Sequence, residues 1–396
     1  MRNVKDLFLA HVGQTSDEPF GLTVDRAEGV YIYDDRGRRY LDLISGIGPA
    51  AVGHGHPAVL AAGHAQMDRF MHTMVYGEHI QEPQVRLAEY LASLLPESLS
   101  STYFVNSGTE AAEAALKLAK KASGRHEIIA CKKAYHGSTH GTSGLMSDDT
   151  FARAFRPYVP GTRFIEYNDM VDLKRISAST AAVIMETYQG EAGCRVADVD
   201  WLRAVRQRCD EVGALLILDE IQVGCGRTGQ PFAFMHSGIE PDILLMAKAL
   251  GGGMPLGAFV SRPELMAEMS KDPILGHCTT FGGHPVSCAT GEAALRLIME
   301  NRWYADVEKK AQVFREALIG HPKVIGISGI GLWMAVDVGT FERVQALMWA
   351  AKEKGLITDW FLYNNHSFRI CPPLNIRPTE IEEACEILLS VLDELP

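Results

Sequence analysis

Asp242-Ile243-Leu244-Leu245-Met246-Ala247-Lys248-Ala249-Leu250-Gly251-Gly252-Gly253-Met254-Pro255-Leu256-Gly257 is a short apolar run that ends in one lysine and three glycines. The run reads as a buried strand. An ammonium group beside such a strand is costly unless its charge is neutralised or used. Desolvation makes a lysine amine give up its proton readily, and the free amine attacks carbonyls to form a Schiff base. The glycines let backbone and a flat cofactor approach closely. The alternative is a lysine that snorkels at a strand end before a glycine-rich turn.

Outward from Lys248, residues 83 to 290 alternate helices with short apolar strands, the pattern of an α/β layered domain. Candidate strands are 101–105, 127–131, 181–186, 215–219, 243–247 and 258–260, with helices at 85–95, 111–121 and 199–212. Residues 1 to about 30 read as a helix and a Pro/Gly-containing connection. Residues 29–43 then alternate apolar and polar around Asp35-Arg36-Gly37, a hairpin signal. Beyond Trp303 the pattern gives a helix (303–319), two strands within 323–337, a helix (341–354), a strand at 367–370 and a last helix (378–394). This α+β cap is expected to pack with the hairpin as one small domain built from both chain ends. The expected division is 1–50 and 296–396 for the small domain and 51–295 for the large one.

At 396 residues, 47% hydrophobic and 22% charged, the chain has the size and composition of a globular protein of two domains, or of one large domain with an appendage. Its formal net charge of -11 argues against nucleic acid or an anionic membrane as the main partner. The eight cysteines form no close C-x-x-C pair, so neither a zinc knuckle nor a disulfide framework is suggested. Reduced thiols fit a cytoplasmic setting. The start of the chain has no apolar leader, and no stretch reaches the length of a membrane span. His54-x-His56 lacks a supporting carboxylate or cysteine at ligand spacing, so a loop corner against a helix start is expected there, and no metal.

Phe104-Val105-Asn106-Ser107-Gly108-Thr109-Glu110 runs from a strand into a helix, which places Ser107, Gly108 and Thr109 at a helix start. Free N–H groups there seat an anion such as phosphate, although ordinary Ser or Thr capping explains the same residues. Leu215-Leu216-Ile217-Leu218-Asp219-Glu220 is an apolar strand ending in an acidic pair. A carboxylate at a strand's carboxyl end can hold a proton on a ligand's ring nitrogen, bind a metal, or cap the next element. The Gly-rich 224–229 segment lacks the lysine of a P-loop, and neither H-E-x-x-H nor G-x-S-x-G occurs. An anion seat, a strand-end carboxylate and a lysine together suit pyridoxal 5'-phosphate (PLP), which has a phosphate, a ring nitrogen and an aldehyde.

With these residues the chain resembles the class III aminotransferases of PLP fold type I, the group of ornithine, acetylornithine and 4-aminobutyrate aminotransferases. The resemblance spans nearly the whole chain. It rests on Ser107-Gly108-Thr109-Glu110-Ala111, Tyr135-His136-Gly137, Glu186 through Gln189-Gly190-Glu191, Leu218-Asp219-Glu220-Ile221-Gln222, Arg227-Thr228-Gly229, Lys248 with its glycines, and Thr279-Thr280-Phe281-Gly282-Gly283. It implies a large domain with a mostly parallel seven-stranded sheet flanked by helices, beside the small α+β domain. It also implies that Lys248 forms the Schiff base and moves the proton, and that Asp219 pairs with the pyridinium nitrogen. Gln222 would hydrogen-bond the ring hydroxyl, Tyr135 would stack on the ring, and Ser107, Gly108 and Thr109 would seat the phosphate, with His136 and Glu186 also at the cofactor. Thr280 would reach the phosphate of the neighbouring subunit, making a homodimer part of the active site. Arg369 would bind a substrate carboxylate and Glu191 would cover that arginine; a structural ion pair is the alternative for both.

Departures from the family pattern narrow the substrate expectation. Ser138 stands where many ornithine-like or 4-aminobutyrate members have an arginine after His-Gly. No aromatic residue stands just ahead of Pro19-Phe20-Gly21, and His284 replaces an asparagine in the Phe-Gly-Gly-Asn-Pro turn. The expected activity is ping-pong transfer of an amino group from an ω-amino acid, diamine or amine donor to a 2-oxo acid. A racemase or aminomutase of the same fold is the alternative. A non-catalytic PLP-binding regulator is disfavoured by the acidic charge and the lack of a DNA-binding extension.

Overall fold

The computed structural model describes residues 4–395. In chain order its strands begin with β1 (Val24–Glu28), β2 (Tyr31–Asp34) and β3 (Arg39–Asp42). Seven more follow: β4 (Ser101–Val105), β5 (Glu127–Cys131), β6 (Thr162–Ile165), β7 (Thr180–Glu186), β8 (Leu215–Asp219), β9 (Ile243–Met246) and β10 (Gly257–Ser261). The last are β11 (Gly326–Gly329), β12 (Met334–Asp337), β13 (Leu356–Ile357), β14 (Trp360–Phe361) and β15 (Asn364–Ile370).

β4 to β10 form the expected seven-stranded sheet, in the order β4-β10-β9-β8-β7-β5-β6. Only β10 runs antiparallel to its neighbours. β7 and β9 are buried at every residue and β8 at all but its first, as continuous apolar runs covered on both faces should be. The helix Gly108–Ser123 packs on this sheet through an alanine-rich face and stops where Gly124 turns left-handed at φ 66. Because β10 is the single reversed strand, the carboxyl ends of β4, β5, β7, β8 and β9 share one edge. Ligands of open α/β sheets sit beyond that edge.

Two four-stranded sheets complete the strand inventory. In the first, ordered β1-β2-β3-β13, β13 runs parallel to β3, so residues from both ends of the chain share a sheet. The second is ordered β11-β12-β15-β14. β2 and β3 are the hairpin read from the alternation.

The N-terminal expectation needs correction. Its first three residues lie outside the described residues, and a helix occupies Val4–His11. What was read as connection contains β1, whose residues are almost all exposed and so carry no apolar alternation. β6 escaped because it is short, four residues with Ile165 alone buried and Thr162 and Phe164 half-buried. His56 is the corner expected of it: its Nδ1 accepts the Ala58 N–H at 3.3 Å and caps the helix Pro57–Arg69. His54 instead pairs with the buried Asp42 at 2.9 Å. Among the described residues no three metal-ligating side chains come together.

Candidate active site

A cavity of about 520 Å³ opens at the shared carboxyl edge. Ser107, Gly108 and Thr109 line it from the turn after β4, and Tyr135 and His136 from the turn after β5. Glu186 lines it from the end of β7, Asp219 and Gln222 from β8 and its following turn, and Lys248 from the turn after β9. Nine residues singled out in the sequence therefore meet in one place.

At the helix start, Ser107 Oγ accepts the Glu110 N–H at 3.3 Å. The N–H groups of Gly108 and Thr109 belong to the first turn, which has no intrahelical acceptors to offer them. Capping and an anion seat are thus compatible. Close approach explains two glycines here. A Cβ at Gly257 on β10 would lie 2.2 Å from the Ser107 carbonyl oxygen, and one at Gly137 would lie 2.3 Å from the Thr109 side chain.

Asp219 is buried, and its two oxygens have different partners. Oδ1 accepts the Ile221 N–H at 2.9 Å and Oδ2 lies 2.7 Å from His136 Nδ1. His136 is buried as well, and its Nε2 has no hydrogen-bond partner among the described residues. The neighbouring Glu220 points the other way. It accepts the N–H groups of Ala233 and Phe234 and the Thr187 hydroxyl, so it braces the fold. Glu186 accepts the Tyr135 N–H at 3.0 Å and the Gly190 N–H at 2.7 Å. Burial pushes its carboxyl up to about 7, with Asp219 adding to the rise and His136 and the two amides opposing it.

Lys248 adopts a left-handed backbone, φ 50, as the first residue of a 3-10 turn that Gly252 closes at φ 61. A non-glycine residue in that region is strained by about 1 kcal/mol or more and is held by its surroundings. Burial lowers the pKa of its ammonium group; Glu191 and Asp219 oppose the shift and Arg369 assists it. The site therefore favours the neutral amine more than water does.

Arg369 and Glu191 stand behind this cavity and reach it through Gln222. Arg369, on β15, is buried, and its Nη2 donates to both Glu191 oxygens at 3.0 and 3.2 Å. Glu191 also accepts the Gln222 amide at 2.9 Å and the Leu362 N–H at 3.2 Å. Burial works against ionisation of Glu191, but Arg369 and these donors hold its carboxyl below the usual range. Thr280 is exposed and lies outside this cavity. Sequence reasoning missed Pro49, Tyr188 and Met254 in the cavity wall and Trp333 beside Gln222. Their apolar or aromatic character reads as ordinary core.

Residues 12–392 match the family model described as aminotransferase class-III. The chain is 38% identical over 375 residues to an acetylornithine aminotransferase of Methanopyrus kandleri, covering 94% of this chain and 95% of that one. It is 35% identical over 404 residues to a putrescine aminotransferase of Pectobacterium atrosepticum, covering 96% and 86%. Among solved structures, the ornithine aminotransferase of Toxoplasma gondii, which has PLP at partial occupancy in its active site, superposes with a TM-score of 0.91 at 27% identity. That match covers 98% of this chain and 94% of the other.

Proposed function

The chain belongs to the class-III aminotransferase family, and on that premise we propose that it holds PLP at Lys248 and transfers an amino group from an ω-amino acid, diamine or amine donor to a 2-oxo acid. One observation carries this reading. A desolvated lysine, a buried carboxylate and a helix start line a single cavity. That donor set fits the aldehyde, ring nitrogen and phosphate of PLP.

Bound there, the cofactor supplies an electron sink for the bond broken at the donor carbon. Asp219, oriented by His136 and the Ile221 amide, holds a proton at the ring nitrogen. Gly108 and Thr109 bind the phosphate, and Tyr135 limits the ring's motion. Lys248 takes and returns the proton at the donor carbon, work that requires the neutral amine favoured by burial. Arg369 binds the acceptor's carboxylate. Glu191 covers that cation when the substrate has no carboxylate to offer. The relatives named for acetylornithine and putrescine support donors with a terminal amine.

We also assign a homodimer, with Thr280 serving the partner's phosphate seat. Met71, Met74, Ile80 and Phe281 are exposed apolar side chains, a pattern that suits a covered face. A monomer in light scattering at micromolar concentration would remove this assignment. A cytoplasmic location is proposed on eight unpaired thiols, seven of them buried; recovery from an oxidising compartment would contradict it.

The activity test mixes the purified PLP form with single donors and no acceptor: acetylornithine, ornithine, 4-aminobutyrate, a diamine and a simple amine. Loss of the visible band with formation of pyridoxamine phosphate identifies the donor class. If every donor leaves the band intact while a chiral amino acid loses optical activity, racemisation replaces transfer.

A further inference from the structure

Gln222 has three polar neighbours whose chemistry fixes how its amide must sit. Trp333 Nε1 donates to its Oε1 at 3.3 Å, and Arg369 Nη1 donates to the same oxygen at 3.4 Å. Its Nε2 donates to Glu191 Oε1 at 2.9 Å. Indole and guanidinium nitrogens can only donate, and an ionised carboxylate can only accept. One amide orientation satisfies all three neighbours. The flipped one sets two donors against an NH2 group and a carboxylate against a carbonyl oxygen. The amide also lies flat against Gly190, where a Cβ would stand 2.5 Å from Oε1.

The three neighbours differ in permanence. When a substrate carboxylate takes Arg369, Glu191 gives up that partner, and the two charged groups around Gln222 rearrange. Trp333 is fully buried, just ahead of β12, and its indole carries no charge for a substrate carboxylate to draw away. We propose that Trp333 is a positioning residue that keeps the Gln222 amide N–H directed at the cofactor's ring oxygen while Glu191 and Arg369 separate. The proposal rests on Gln222 as the partner of that oxygen. Nε2 has two N–H groups and Glu191 takes one, which leaves the other for the ring.

Its consequence is a titration. The ring oxygen is the negative partner of the proton on the Lys248 linkage, so a donor to that oxygen weakens its hold on the proton. Loss of the donor, or a flip that presents a carbonyl instead, strengthens the hold and raises the pH midpoint of the visible band. One net hydrogen bond corresponds to about half to one pH unit.

The experiment titrates the visible absorbance of the PLP-loaded protein with and without saturating glutarate, a dicarboxylate that cannot react. Trp333→Phe keeps an aromatic ring and removes the N–H. Its midpoint should rise by about half to one unit, more with glutarate present. In a Gln222→Ala background the same change should add nothing. An unmoved midpoint, or an equal shift in both backgrounds, overturns the proposal, since an effect of packing alone does not need Gln222. A normal lysine-dependent band with an unmoved midpoint defeats only this inference; failure to form the band defeats the PLP reading beneath it as well. If Trp333→Phe does not fold, the indole N–H resonance of Trp333 is followed instead. It should move on Gln222→Ala, and a stationary resonance overturns the contact.

Discussion

Arg369→Ala separates a substrate contact from a structural ion pair. The guanidinium makes two contacts with Glu191 at 3.0 and 3.2 Å in a buried setting, geometry that suits a substrate carboxylate equally well. A charge-assisted contact of this kind contributes about 2–3 kcal/mol, so KM for a 2-oxo acid should rise about 30- to 150-fold. KM for a donor without a carboxylate should stay within about threefold, because Glu191 covers Arg369 in that half-reaction. The truncation also leaves Glu191 buried without its cation, a loss of about 3–5 kcal/mol of stability. Arg369→Ala/Glu191→Gln controls for this by removing the orphaned charge. Urea unfolding should recover most of the lost stability in the double variant, while the acceptor KM stays high. Steady-state kinetics with each substrate varied against a saturating partner provide the test. Equal KM changes for acceptor and donor, or an acceptor KM that recovers with stability, would show that the pair only holds the fold.

Lys248→Ala should abolish the visible band and turnover while leaving the far-ultraviolet circular dichroism unchanged; retained turnover would take the lysine out of the chemistry. Gly257→Ala brings a Cβ to 2.2 Å from the Ser107 carbonyl oxygen, backbone against backbone. It should destabilise the protein by about 2 kcal/mol or more and weaken PLP retention; unchanged PLP affinity and unfolding midpoint would show that the seat tolerates the shift. Burial raises Glu186 and Glu220 from the ordinary 4.5 to about 7. The folded state therefore binds more protons than the unfolded chain between pH 4.5 and 7. Their contribution to stability is greatest at the acid end of that window and declines as pH rises through it, by about 3 kcal/mol per group at most. Urea titrations of the cofactor-free protein at fixed pH values test this, and stability that climbs steadily across the same window contradicts it.

The chemical groups were legible because each sits where a local pattern changes. β8 and β9 are unbroken apolar runs, so Asp219 and Lys248 stand out as the first polar groups after them, whereas Glu186 at the end of β7 came only with the family resemblance. Ser107-Gly108-Thr109 marks a helix start by composition. The Arg369–Glu191 corner is different. Arg369 and Glu191 lie 178 residues apart, and no periodicity pairs two charges across that distance; only family resemblance brought them together. Trp333 was invisible for a further reason. A tryptophan among apolar residues reads as core, and it is core, since its role rests on one N–H facing an amide contributed by another sheet. An exposed strand such as β1 lacks the alternation that identifies a half-buried one, and β6, at four residues, is too short to display it.

That difference in legibility follows the division of labour in the fold. The groups proposed for proton transfer and cofactor binding, Lys248, Asp219 and the helix start, meet at one edge of the large sheet. The arginine proposed to select a carboxylate, Arg369, lies on β15 of the β11-β12-β15-β14 sheet, and Trp333 lies next to the adjacent β12. The two sheets meet through Glu191 and Gln222, both on turns that leave the large sheet. On the proposed reading, a change in the smaller sheet should alter which acid is accepted without moving Lys248 or Asp219. Gln222 is the exception, because it touches both sides and faces the cavity. Any perturbation that couples acceptor choice to the cofactor's titration should pass through its amide.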